Sequence, residues 1–235
     1  QRQMCIRDRI RIGLRLSKDE TIVRMPFEVR HMGSKYPIFS FDFTGAKRGV
    51  LPASYDYLRL EGRMQYRLNL PPIGYSQLML EGGKIFGKVP YLLLKLHEGN
   101  GTYFYDRYAF SCMNFYEFSS DAWISFFYEH HFNGFLLGRV PLLKKLNWRE
   151  VFVFKGVYGT LSARNDGSLP NTKAVMLFPV GMSSVEHPYL ETGFGIENIF
   201  RLLRVDCIWR LTHHRAVPGL SIPTFTVNFS LNLKF

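Results

Sequence analysis

Apolar and polar residues alternate one for one along much of the chain. From Thr224 to Phe235 one set is Phe225, Val227, Phe229, Leu231, Leu233 and Phe235. The other is Thr224, Thr226, Asn228, Ser230, Asn232 and Lys234. An extended strand turns successive side chains to opposite faces, so this segment predicts a strand with one apolar and one polar surface. Tyr57 to Leu70 repeats the pattern, with Leu58, Leu60, Gly62, Met64, Tyr66, Leu68 and Leu70 set against Arg59, Glu61, Arg63, Gln65, Arg67 and Asn69. From Leu203 to Thr212, Leu203, Val205, Cys207, Trp209 and Leu211 oppose Arg204, Asp206, Arg210 and Thr212. Weaker alternation at 10–16, 21–31, 36–44, 74–86, 121–133, 149–162 and 189–198 brings the expectation to about ten strands. Many would run ~9–14 residues, beyond the ~5–6 usual in globular sheets.

Strand length and facing choose the architecture. A soluble sandwich has short strands with polar outer faces, and as a rival reading it requires the apolar faces to pack on each other. Here the polar faces carry dense charge of both signs, as a hydrogen-bonded interior would. Tilted strands of ~9–11 residues span a bilayer, and a closed barrel leaves no unpaired edge in hydrocarbon. The pattern therefore predicts an all-β fold, an antiparallel transmembrane β-barrel of the bacterial outer membrane, apolar face to lipid and Arg/Glu face to the lumen. Pro71-Pro72-Ile73-Gly74 and 198–202 read as short turns. The connections 45–54, 87–120, 163–188 and 213–221 would share the outer side if Phe235 ends at the periplasmic side. That parity requires 103–118 to be a loop or lid and not a spanning strand. Pro141 to Trp148 reads as a short amphipathic piece at the inner interface.

Composition narrows the class further. The 235 residues are 46% hydrophobic, 16% aromatic and 21% charged, which excludes disorder as a description of the whole. No apolar run approaches the ~20 residues of a spanning helix; Tyr91 to Leu96 is interrupted by Lys95. The net charge of +11 would suit nucleic acid, but the basic groups alternate with acids inside strands and build no single basic face. Cys5, Cys112 and Cys207 are scattered, against a disulfide framework or a zinc knuckle. Residues 1–9 have no structural period and read like a translated sequencing adapter. They are taken as a non-native leader to an N-terminally truncated barrel domain, 10–235.

Catalytic signatures are absent. There is no Gly-x-Ser-x-Gly, no His-Glu-x-x-His and no phosphate-binding Gly-Lys-Ser/Thr, and Gly193-Phe194-Gly195 lacks a third glycine. In His130-His131 and His213-His214, adjacent side chains of an extended strand point apart. Glu129 and His131 do share a face, with Asn133 beyond, but a metal or acid–base site would need a third group from a neighbouring strand. The reading is no enzyme, no cofactor and no metal. The stronger signal is the set of charged rows: Arg59, Glu61, Arg63 and Arg67 on one wall, Arg204, Asp206 and Arg210 on another, Glu191 and Glu197 between. These predict a lumenal polar network that stiffens the barrel, holds a plug loop or lines a path for a polar polypeptide.

Gly193 to Asp206, a Gly-x-Gly strand, a tight turn and an Arg-x-Asp strand, resembles the closing strands of the BamA-like bacterial surface-antigen superfamily. Glu129-His130-His131-Phe132-Asn133-Gly134 and Pro141-Leu142-Leu143-Lys144-Lys145-Leu146 resemble an uncharacterised family of Gram-negative outer-membrane barrels with an N-terminal carboxypeptidase-regulatory-like domain. The resemblance extends over nearly everything after residue 20 and is most specific at 187–212. It implies a sixteen-strand barrel, of which this chain supplies about the last ten strands. It further implies insertion or translocation of other polypeptides at a weak seam between first and last strands. Phe229, Leu231, Leu233 and Phe235 would form one lip of the seam and the C-terminal assembly signal. The superfamily's lumenal loop has an Arg-Gly-aromatic tip; 87–120, at the corresponding place, has Asp106-Arg107-Tyr108. The implied function is assembly or translocation of envelope proteins, with lipid, client polypeptides and the envelope assembly machinery as partners and no nucleic acid. A passive channel or solute transporter and an outer-membrane hydrolase are the alternatives.

Overall fold

The computed structural model describes residues 9–25, 27–48, 55–168, 174–214 and 221–231. Nine strands form one antiparallel sheet: β1 Ile10–Leu16, β2 Ile38–Ala46, β3 Tyr57–Asn69, β4 Tyr75–Gly87, β5 Ala122–His131, β6 Arg149–Thr160, β7 Tyr189–Ile199, β8 Leu203–Arg210 and β9 Phe225–Leu231. Their order in the sheet is their order in the chain, an up-and-down meander with β1 and β9 at the edges. Among the described residues the two edges do not pair with each other, so the described sheet is open.

Nine of the ten expected strands take their places. The exception is 21–31, which is a separate hairpin of Thr21–Arg24 with Val29–Gly33. The chain doubles back between Met25 and Glu28, whose backbone groups bond each other, and proline at 26 has no N–H to donate to a longer ladder.

Register extends the period-two pattern across the sheet. Leu16, Phe39, Met64, Leu80 and Phe126 stand side by side from β1 to β5. Leu78, Tyr128, Phe154, Thr192, Trp209 and Phe225 do so from β4 to β9. No second sheet covers this apolar face among the described residues. Ile12 is 63% exposed and Phe194 59%, and Phe41, Phe43, Ile124, Trp209 and Leu231 are exposed as well.

The opposite face carries the charges and is covered from β4 to β8, whereas Arg11 on β1 and Arg63 on β3 remain exposed. Connections 47–56, 88–121, 161–188 and 211–224 leave from one rim, and 17–37, 70–74, 132–148 and 200–202 from the other. The expected grouping of the long connections therefore holds, and 103–118 is loop. It folds back over the charged face, where Phe110, Met113 and Phe118 pack with Met79, Phe127, Val157, Val185 and Tyr189. Lys95–Leu96, Phe118–Ser120 and Ser183–Ser184 tie the two longest connections into a three-stranded sheet. At 70–74, Leu70 N–H donates to Gly74 O at 2.8 Å. Gly74 has φ +106°, and a Cβ there would lie 1.8 Å from His131 O, so only glycine closes this turn. Residues 141–144 form one helical turn, α1.

Candidate functional site

Alternation dictates which side chains meet the folded-in loop. Lys155, Glu191 and Arg210 are direct register partners on β6, β7 and β8, a cation–anion–cation row on the charged face. Each is buried, Lys155 and Glu191 completely. A buried charge is tolerated only when paired and hydrogen-bonded, and here much of the pairing comes from the loop backbone. Lys155 Nζ donates to Asp106 O (2.7 Å) and Ala109 O (2.6 Å). Glu191 accepts from Ser111 N–H (2.9 Å), Cys112 N–H (2.7 Å) and the Tyr189 hydroxyl (2.6 Å). Arg210 donates to Cys112 O (3.1 Å) and Glu117 Oε1 (2.6 Å). Wall cations thus hold loop carbonyls, and a wall carboxylate holds loop N–H groups.

A second knot lies nearer the other rim. Glu129 on β5 accepts from the Tyr105 hydroxyl, from Arg107 Nε at 2.8 Å and from Arg204 Nη2 at 3.3 Å. Arg204 on β8 also grips Asp206 with Nε and Nη2, both at 2.8 Å. The Tyr105 ring is clamped between cations, 4.5 Å from Lys155 Nζ and 4.4 Å from the Arg204 guanidinium. Burial, reinforced by Glu129, raises the Tyr105 phenol above its ordinary range, so it stays a neutral donor. Gly195 makes room for this knot. A Cβ there would lie 2.1 Å from Asp206 Oδ1, which gives the Gly-x-Gly pattern of 193–195 a packing role.

The β3–β4 side of the face is held differently. Glu81 is shared by Arg63 (2.7 Å) and the loop's Lys95 (2.6 Å). Arg59 pairs with Glu61 at 2.6 Å and lies 5.3 Å from the Trp123 ring; Arg67 lies over Tyr75. A cavity of about 250 Å³ remains beneath the loop, lined by Arg63, Glu81, Lys95, His97, Asp106 and Phe127 among others. His97 is buried against Ser120 Oγ at 2.9 Å; burial, with Lys95 nearby, pushes its pKa down to about 3. Burial and the Glu191 carboxylate push the Cys112 thiol up to about 12, an unreactive thiol.

The sequence-predicted network is therefore divided. Glu191, Arg204 and Arg210 converge on the loop and Asp206 backs Arg204, whereas Arg59, Glu61 and Arg67 contact their own wall and Arg63 joins through Glu81. Glu197 meets His131 Nδ1 at 3.2 Å, while the other ring nitrogen of His131 is 3.4 Å from Glu129. His130 faces the other way, as adjacency requires, onto Ser76 Oγ (2.8 Å) and Ile73 O (3.0 Å). His213 lies in a loop, bonded to His187 O. Among the described residues no group of His, Cys, Asp and Glu could hold a metal ion. Phe229 and Leu231 lie on the edge strand β9 with exposed side chains; Leu233 and Phe235 are outside the described residues. Sequence reasoning missed Lys155, Tyr105, Arg107 and Glu117. Lys155 had a signal, a single cation directly after the apolar run Val151-Phe152-Val153-Phe154, but loop partners have no period to betray them.

A comparison with curated proteins returns no match. Residues 9–163, more than half of the chain, match a family described as "Family of unknown function (DUF5686) C-terminal domain". The sheet from β1 to β6 and the folded-in loop thus lie within the matched region, and the chain belongs to this family.

Proposed function

We propose that this sheet is wall of a transmembrane β-barrel in the bacterial outer membrane, with the folded-in loop in its lumen. The carrying observation is its inverted polarity: the aromatic and aliphatic face is exposed, while from β4 to β8 the charged face is buried, with Glu81, Glu129, Lys155, Glu191, Arg204 and Arg210 sealed from solvent. In water the exposed apolar face would cost roughly 25 cal/mol for each Å² that could be covered, and a bilayer covers it. Long strands in strict up-and-down order support the same reading. The role we assign is assembly or translocation of envelope polypeptides, in line with the resemblance to the BamA-like superfamily. The edge of β9 would be one lip of a seam that templates an incoming strand through its backbone groups. A passive channel fits less well, because the loop is tied to its wall by backbone as well as side-chain bonds.

The test is fractionation of the full-length protein from a Gram-negative cell, with gel mobility compared before and after boiling. A heat-modifiable band in the outer membrane is expected; a soluble, heat-insensitive protein contradicts the membrane reading. Insertion of a reporter barrel into vesicles holding the protein then tests the assembly role.

A further inference from the structure

The outer edge of β9 is not bare at its centre. Phe229 N–H donates to Tyr103 O at 2.7 Å, and Tyr105 N–H donates to Phe229 O at 2.8 Å, so Phe104 and Phe229 form a parallel bridge. Next to it, Asn228 Nδ2 donates to Thr102 O at 3.1 Å. The tip of the folded-in loop thus pairs with the sheet as a strand would. Its shape is preset: Asn100 Oδ1 accepts from Thr102 N–H at 3.0 Å, and Asn100 Nδ2 donates to Phe104 O at 2.6 Å. Tyr105 anchors the segment among Glu129, Lys155 and Arg204, whereas the Tyr103 and Phe104 side chains are 77% and 68% exposed.

The pairing is short and of the less stable kind. A parallel bridge of two hydrogen bonds occupies one residue of a seven-residue edge. An antiparallel strand along the whole edge would form several, with better geometry. The segment is strong enough to keep a sticky edge from pairing indiscriminately and weak enough to yield to a full strand.

We propose that residues 102–105 are a resident placeholder for an exchangeable strand at the β9 edge, bound in the resting protein and displaced when a polypeptide strand pairs there. This rests on the reading of β9 as the lip of a strand-exchange seam. It adds the regulation of that seam: access is set by release of the loop tip, and the Tyr105 anchor couples release to the charged network behind it.

The test uses the full-length protein in outer-membrane vesicles. Phe104→Cys with Phe229→Cys, in a background with Cys112 and Cys207 replaced by alanine, is expected to oxidise to an intramolecular disulfide with heat-modifiable mobility retained. Single cysteines that react with maleimide while the pair never joins would place the tip away from the edge and overturn the proposal. The locked form should insert a reporter barrel several-fold more slowly than the same protein after reduction; equal, measurable rates overturn the placeholder role. If neither form inserts the reporter, the assembly reading fails, and the edge is still judged by a readout independent of insertion. For that readout, a photoreactive synthetic peptide of residues 224–235 is crosslinked to β9. Yield should fall in the locked form and rise several-fold in Tyr105→Pro, which lacks the N–H donated to Phe229 O. Equal yields in wild type, locked form and proline variant would overturn the placeholder.

Discussion

The two faces of the nine-stranded sheet are built from the same strands, one residue out of phase, and they obey opposite rules. On one face Phe194 and Ile12 lie bare and no polar partner is required. On the other, Glu129, Lys155, Glu191 and Asp206 are sealed from solvent and hydrogen-bonded to wall and loop. A soluble domain puts these two in the reverse places. Where water lies outside, charge goes outside; here the charged face supplies its own solvent, in the form of the Asp106–Glu117 backbone and side chains. The folded-in loop is therefore what makes the charged face possible, and the bare face is what the proposed surrounding of hydrocarbon would cover.

The sharpest way to break the contrast is to put charge on the bare face. Phe126→Arg together with Phe194→Arg, both mid-strand, should abolish the heat-modifiable membrane band, since each arginine near the bilayer midplane costs about 2–4 kcal/mol. Leucine at both positions should preserve it. Next is the removal of a single partner on the charged face. Glu129→Ala leaves Arg204, Arg107 and the Tyr105 hydroxyl short of an acceptor, and a broken buried pair costs about 3–5 kcal/mol. The urea midpoint of the folded protein reads that loss, and Glu129→Gln should recover part of it.

A smaller effect appears in acid. His97 is held neutral in the fold, with its pKa at about 3 against 6.5 for the free side chain. The unfolded chain alone binds this proton between those values, so stability is intact above pH 6.5 and declines as pH falls from 6.5 towards 3. His97→Gln should flatten the thermal transition over that window and leave it unchanged at pH 8. The smallest effect belongs to Arg11→Ala. Its pair with Asp42 (2.9 Å) is largely exposed, so the expected loss is about 0.2–1 kcal/mol, and it should shrink with added salt.

Much of the sheet was legible because period two is a local property. Tyr57 to Leu70 and Leu203 to Thr212 declared both faces, and adjacency alone separated His130 from His131. Segment 21–31 was misassigned because its alternation runs through a proline at which a ladder loses a donor. The covering of the charged face could not be read. Residues 88–121 have no period, and what places them is the match of Ser111 N–H, Cys112 N–H and Asp106 O to charges roughly 45 to 80 residues away. Glu191 and Arg210 were visible as charges of the polar face, but much of their task, holding loop backbone, lies in partners that carry no charge.

The most direct measurement is a nitroxide scan along β6 in the full-length protein reconstituted in a bilayer, with a label at each residue from Val151 to Tyr158. Collision with oxygen reports lipid, and collision with a water-soluble nickel chelate reports solvent. Phe152, Phe154 and Tyr158 should show high oxygen collision, with Val151, Val153, Lys155 and Val157 shielded from both agents. Nickel collision at Phe152, Phe154 and Tyr158, or shielding there equal to that of their neighbours, would contradict the inverted sheet.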